Sequence, residues 1–179
     1  MIGRLANAIG YQLVWLMSVA GAAHGMPRVG PLAAIGFVLA MFAFGGASRD
    51  DLRLIPLVLL LGLFVDSAWI MLGWINFSAP SPSTRFAPEW ILGIWLAFAM
   101  TLNHSLAFLK RRPAIAALLG AVGGPLAYWS AARGFGVVHF DAPLSIVLPC
   151  LAIAWAATLP LLLRIADHRT TAKIIEALP

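Results

Sequence analysis

Polar residues interrupt this chain at wide intervals and leave six apolar runs, at about 5–25, 30–47, 54–76, 90–109, 114–133 and 143–165. Each approaches the ~20 residues that carry an α-helix through ~30 Å of hydrocarbon, the second being the shortest. The period-two alternation that a membrane β-barrel requires does not occur. Backbone N–H and C=O groups find no partner in lipid, so apolar runs of this length read as helices. The pattern predicts an all-α polytopic membrane protein, a single domain over residues 1–179 with six transmembrane helices in one bundle and a short tail at 166–179.

The connections set an orientation. Arg4, Arg49, Arg53, Lys110, Arg111, Arg112, Arg164, Arg169 and Lys173 would share one side, against Arg28, Arg85 and Arg133 on the other. Nine against three puts both termini in the cytoplasm by the positive-inside rule. Arg4 followed by an apolar stretch and Ala-Gly-Ala-Ala at 20–23 resembles a signal peptide. Asn7, Tyr11 and Gln12 break that stretch, and an uncleaved first helix fits better. The outer loop at 77–90 is rich in Pro and Ser, with Trp74 and Trp90 at its ends as an interfacial belt. The tail is expected to extend the sixth helix into the cytoplasm.

Composition agrees with the pattern. Hydrophobic residues make up 61% and charged residues 11%, with mean hydropathy +0.91, whereas soluble domains are about a quarter charged. A net charge of +5 would suit nucleic acid, but the basic residues sit in short clusters between apolar runs, which argues against that partner. Cys150 is the only cysteine, so no internal disulfide can form.

Within this frame a few residues are out of place. The fifth run contains GAVGGPLAYW (120–129), three glycines and a proline in an apparent helix. Ala116, Gly120, Gly124 and Tyr128 recur every four residues, a ridge with little side chain that lets another helix approach; Gly120, Gly123, Gly124 and Pro125 are the helix-packing candidates. Pro125 withholds an N–H from the Ala121 carbonyl and is expected to break the helix where a polar partner waits. Asp66 is the one acidic residue near the middle of a run, and its helical face also carries Gly62, Trp69 and Gly73. A carboxyl at that depth is expensive and is a functional candidate by default. In the fourth run, Thr101, His104 and Ser105 are expected on one helical face, with Asn103 turned away and His104 about 8 Å in from the cytoplasmic boundary. Asn7, Tyr11 and Gln12 lie at comparable depth on the first run.

These residues admit two readings. Asp66, His104, Thr101, Asn103, Tyr11, Gln12, Asn7 and Tyr128 could line a polar cavity that binds a ligand or handles protons. They could equally be interhelical hydrogen bonds. No catalytic residue can be named. His24 with His139–Asp141 lacks the spacing of a metal site, and no cofactor motif is present, so neither metal nor cofactor is expected. Asp50–Asp51 between Arg49 and Arg53 reads as a charge-neutralised turn.

The early Asn7…Tyr11…Trp15, GLFVDSAWIMLG (62–73), PEWILGIWLAFAMTLNHSLAFL (88–109) and GAVGGPLAYW together resemble a family of bacterial inner-membrane proteins catalogued as domain of unknown function 2878. The resemblance covers most of the chain to about residue 140. It implies a multi-pass protein of the inner membrane with a lipid-linked role, through genes that neighbour fatty-acid-modifying enzymes. It carries over no catalytic residue. The leading functional expectation is binding or transport of a small or amphiphilic molecule, with the phospholipid bilayer as a constant partner. The alternatives are an accessory subunit packed against another membrane protein or a second copy of itself, and an integral-membrane enzyme acting on acyl chains through Asp66 and His104.

Overall fold

The computed structural model describes residues 2–44 and 46–167. It contains six helices: α1 (Ile2–Ala23), α2 (Val29–Ala43), α3 (Arg49–Met71), α4 (Glu89–Ala99), α5 (Pro113–Phe135) and α6 (Leu144–Ile165). Four are long and apolar enough to cross a membrane: α1, α3, α5 and α6. Large apolar side chains such as Leu5, Leu60, Phe64, Leu118 and Ile153 point outward and are well exposed. A soluble monomer does not display apolar surface on that scale.

Local chemistry fixes the ends. Ser48 caps α3 in a reciprocal box: its Oγ accepts from the Asp50 N–H, and its own N–H donates to Asp51 Oδ2 at 2.7 Å. α5 opens on Pro113, whose missing N–H is harmless in a first turn. The C-terminal ends of α3 and α5 each run into a glycine with positive φ, Gly73 (68°) and Gly136 (65°), the left-handed step that favours glycine. Each glycine leads into a three-residue strand, β1 (Ile75–Phe77) and β2 (Val138–Phe140). The strands pair antiparallel, Ile75 opposite Phe140 and Phe77 opposite Val138. Ile75, Phe77 and Val138 point inward and are buried, while Asn76 and His139 point out.

α1 and α2 pack on each other and on α4, and α3 flanks the far side of α4. α5 and α6 form a tightly packed hairpin that touches α1 only lightly. Because β1 follows α3 and β2 follows α5, the ribbon marks one end of the bundle. The N-terminal end of α1, the start of α3, segment 100–112 and the end of α6 meet at the other, called here the basic end.

Four expectations need correcting. The fourth run is not one helix to 109: α4 stops at Ala99, and 100–110 proceed by i→i+3 turns with a short 3₁₀ turn at Ala107–Leu109. Thr101 Oγ1 donates to the Phe98 carbonyl at 2.7 Å, and such back-bonding competes with the helix ladder. Pro125 does not break its helix, since α5 is continuous through it. The third helix is displaced: α3 starts at Arg49 and takes in Asp50 and Asp51, read as a turn, while residues 75–76, read as its end, belong to a strand. α6 ends at Ile165 with Ala166 as its cap, so it does not run on into the tail; 168–179 lie outside the described residues.

Candidate functional site

Two stacked indoles join the halves of the bundle. Trp95 of α4 lies face to face with Trp155 of α6, ring centres 5.1 Å apart and planes 12° from parallel. Glycines make room on both outer sides. A Cβ on Gly62 would overlap the Trp95 ring, and a Cβ on Gly124 would overlap that of Trp155. Gly120 sits against the Trp155 backbone carbonyl in the same way. The order across the molecule is therefore α3 glycine, indole, indole, α5 glycines. Gly123 departs from the expected packing role: nothing lies within 4 Å of where its Cβ would be, and it faces a cavity instead.

Asp66 hangs on this stack. It projects from α3 one turn beyond Gly62 and is 1% exposed. Trp95 Nε1 donates to its Oδ2 at 2.6 Å, and the Tyr128 hydroxyl of α5 donates to its Oδ1. An indole N–H can only donate. Both donors are neutral, so they share the carboxyl group between three helices without supplying an opposite charge.

Beside Asp66 is a cavity of about 700 Å³ enclosed by α1, α4, α5 and α6 with the ribbon. Its walls are largely aromatic, with Trp15, Trp90, Trp95, Phe98, Tyr128 and Trp155 among them. Phe77 and Val138 of the ribbon close one end, and Thr101, Ser105 and Leu106 line the other. Most of the exposed lining residues lie on the side between α1 and α5, Gln12 on α1 and Leu119, Gly123 and Leu126 on α5, with Phe108 of the turn segment exposed towards the basic end. The opening is thus lateral, along the apolar flank. Of the residues singled out in the sequence, Asp66, Thr101, Tyr11, Gln12 and Tyr128 meet on this cavity; Asn7, Asn103 and His104 do not. Among the described residues, no Lys, Arg or His lines it.

Those three residues belong to a second polar cluster at the basic end, centred on Asp51, which is 1% exposed. Asp51 Oδ1 accepts from Asn103 Nδ2 at 2.8 Å, and Oδ2 from the Ser48 N–H and Oγ. His104 Nε2 is 3.3 Å from the same Oδ2, near enough for electrostatic attraction but poorly aligned for a hydrogen bond. Lys110 Nζ donates to Asn103 Oδ1 at 2.6 Å and to the Ala166 carbonyl at 2.8 Å, tying α6 in. Burial pulls the Lys110 ammonium below the usual lysine value, opposed by the carboxylates of Asp167 and Asp51. Asn7 ties in α1, donating to the Met100 carbonyl at 3.0 Å and accepting from the Ser105 N–H at 3.2 Å.

The expected depth of His104 is corrected accordingly. It lies level with Asp51, which is fifteen residues, or about 22 Å, along α3 from Asp66. Asp66 and His104 are not an acid–base pair. Sequence reasoning missed Asp51 and Trp95. Asp51 carries a signal in Ser48-x-x-Asp51, a cap spacing; Trp95 carries none that separates it from a core aromatic.

Elsewhere, among the described residues, no group of three or more His, Cys, Asp or Glu is placed to hold a metal ion. A His24 ring nitrogen bonds the Ala20 carbonyl of its own helix, His139 bonds Ser78, and Asp141 accepts from Asn76. Neither a curated protein nor a solved structure matches the chain. One family does, described as Protein of unknown function (DUF2878), over residues 4–161. As the match takes in nearly the whole chain, this protein belongs to the DUF2878 family.

Proposed function

We propose that the protein is a multi-pass protein of the bacterial inner membrane that binds, and in doing so holds or passes on, a small amphiphilic molecule inside its helix bundle. The carrying observation is the aromatic cavity with a single buried carboxyl. Its volume falls within the ~300–1,000 Å³ of small-molecule sites, and a few polar groups among apolar walls is their usual make-up. An accessory subunit held only by its packing has no need of such a space. The enzyme reading loses its acid–base pair, because Asp66 and His104 stand at different levels of the bundle.

All six helices cross the membrane in this proposal, with both termini cytoplasmic. α4 spans only about 16 Å. The rest of that crossing is the turn segment after it, whose Met100, Leu102 and Leu109 are fully buried. Non-helical backbone is tolerated at membrane depth when protein covers it. Reporter fusions after residues 50, 80, 112 and 138 should read in, out, in, out; any other order at 112 overturns the arrangement.

The binding reading is tested by native mass spectrometry of protein extracted in mild detergent. A bound small molecule that leaves when Gly123→Trp fills the cavity is the expected result. Extraction with no adduct, and tryptophan fluorescence unmoved by any added amphiphile, would overturn it.

A further inference from the structure

Resting on the reading above, we infer that the ligand is cationic: an amphiphile with an ammonium head and an alkyl chain, the head held near Asp66 against the aromatic wall. Three observations converge on this class. Among the described residues the cavity is lined by one carboxyl group and no basic side chain. Asp66 receives hydrogen bonds from two neutral donors, Trp95 and Tyr128, which orient it without supplying an opposite charge. Apart from the stacked pair Trp95 and Trp155, whose faces are already covered, the wall includes Tyr11, Trp15, Phe98 and Tyr128, aromatic rings of the kind that attract a cation. A cation entering here is the first positive charge in the cavity. It finds a carboxylate and π faces with little competing water, conditions that strengthen cation–π attraction. An anionic head meets only repulsion.

The chain half of the inference follows from the opening. Its exposed rim, Gln12, Leu119, Gly123 and Leu126, lies on the same flank that the apolar exterior presents to lipid. The ribbon end is shut by buried Phe77, Trp90 and Val138. A ligand arriving by this route is already dissolved in the membrane, and its alkyl chain fits the apolar walls beyond the head.

The test uses full-length protein in nanodiscs of uncharged lipid and a matched pair of probes with one alkyl chain, one ending in trimethylammonium and the other in its neutral tert-butyl isostere. Binding is followed by tryptophan fluorescence. The ammonium probe should bind about tenfold or more tightly than the isostere, and Asp66→Asn should remove most of that preference. The wild-type comparison stands even if the variant fails to fold. Equal affinity for the two probes overturns this inference and leaves the cavity reading intact. Equally tight binding of tetramethylammonium alone overturns the amphiphile half and assigns a soluble onium ion. Failure of every probe to bind overturns both readings.

Discussion

α3 carries two buried aspartates fifteen residues apart, and the company they keep is different in kind. Asp51 is surrounded by Ser48, Asn103 and His104, with Lys110 one step behind through Asn103. Its two oxygens take three hydrogen bonds, and the partners come from the α3 cap and the turn segment, which in turn hold α1 and α6. Asp66 has only two neutral donors and an open cavity at its side. The first arrangement is what a fastening requires, since a saturated network has one low-energy geometry. The second leaves interaction capacity unused, which is what a binding group requires. The same residue type on the same helix thus serves two ends, decided by what surrounds it.

That contrast can be broken by mutation. The largest effect is expected at the fastening: Asp51→Ala strands Asn103, the Ser48 N–H and Lys110's network together and should destabilise the protein by about 3 kcal/mol or more in denaturation experiments. If Asp66→Ala costs as much, the two aspartates are not different in role. Next comes the interface that carries the indoles. Gly124→Leu should lose roughly 1–3 kcal/mol by overlap with Trp155, while the neighbouring Gly123→Leu, facing open space, should be nearly neutral. Equal losses at the two glycines would remove the close-packed seam. Smaller still, Asp66→Asn should cost about 1 kcal/mol or less, because an amide keeps an acceptor for Trp95. Smallest is a pH effect at the fastening. Folded Lys110 releases its proton more readily than unfolded Lys110, so the unfolded chain binds more protons just below the ordinary lysine value of 10.5. Stability should therefore rise slightly as pH climbs towards that ordinary lysine value from below. The slope should flatten in Lys110→Met; a slope that falls with pH would contradict the burial of this ammonium.

The sequence disclosed the helices well and the polar geometry unevenly. Long apolar runs leave little freedom in lipid, so α1, α5 and α6 lie within about three residues of the predicted bounds, while α2 ends four residues early and α3 lies five residues earlier than expected because its cap at Ser48 precedes the apolar run. The fourth run misled because the polar TLNHS is short and flanked by apolar stretches, so the run as a whole passes as helix. Its fate is set instead by tertiary partners, Asn7 for Ser105 and Asp51 for Asn103, which no local pattern contains. The ribbon was hidden for the opposite reason: Ile75-Asn76-Phe77 and Val138-His139-Phe140 alternate as strands do, but three residues are too few to outweigh their apolar neighbours. Asp66 stood out by the expense of its position. Trp95 did not, because an indole that packs and an indole that also donates look alike in sequence.

The chain order of the Asp66 donors bears on how the protein is made. Synthesis delivers α3 first, then Trp95 on α4, and Tyr128 only when α5 emerges. In the proposed topology the nascent carboxyl group enters the bilayer before either donor exists. It gains one as the fourth segment inserts and the second from the closing hairpin. Its tolerance by the insertion machinery therefore depends on residues not yet translated, and a ribosome stalled between α4 and α5 would leave an intermediate with a half-satisfied acid, the natural substrate for an insertion chaperone or a quality-control protease.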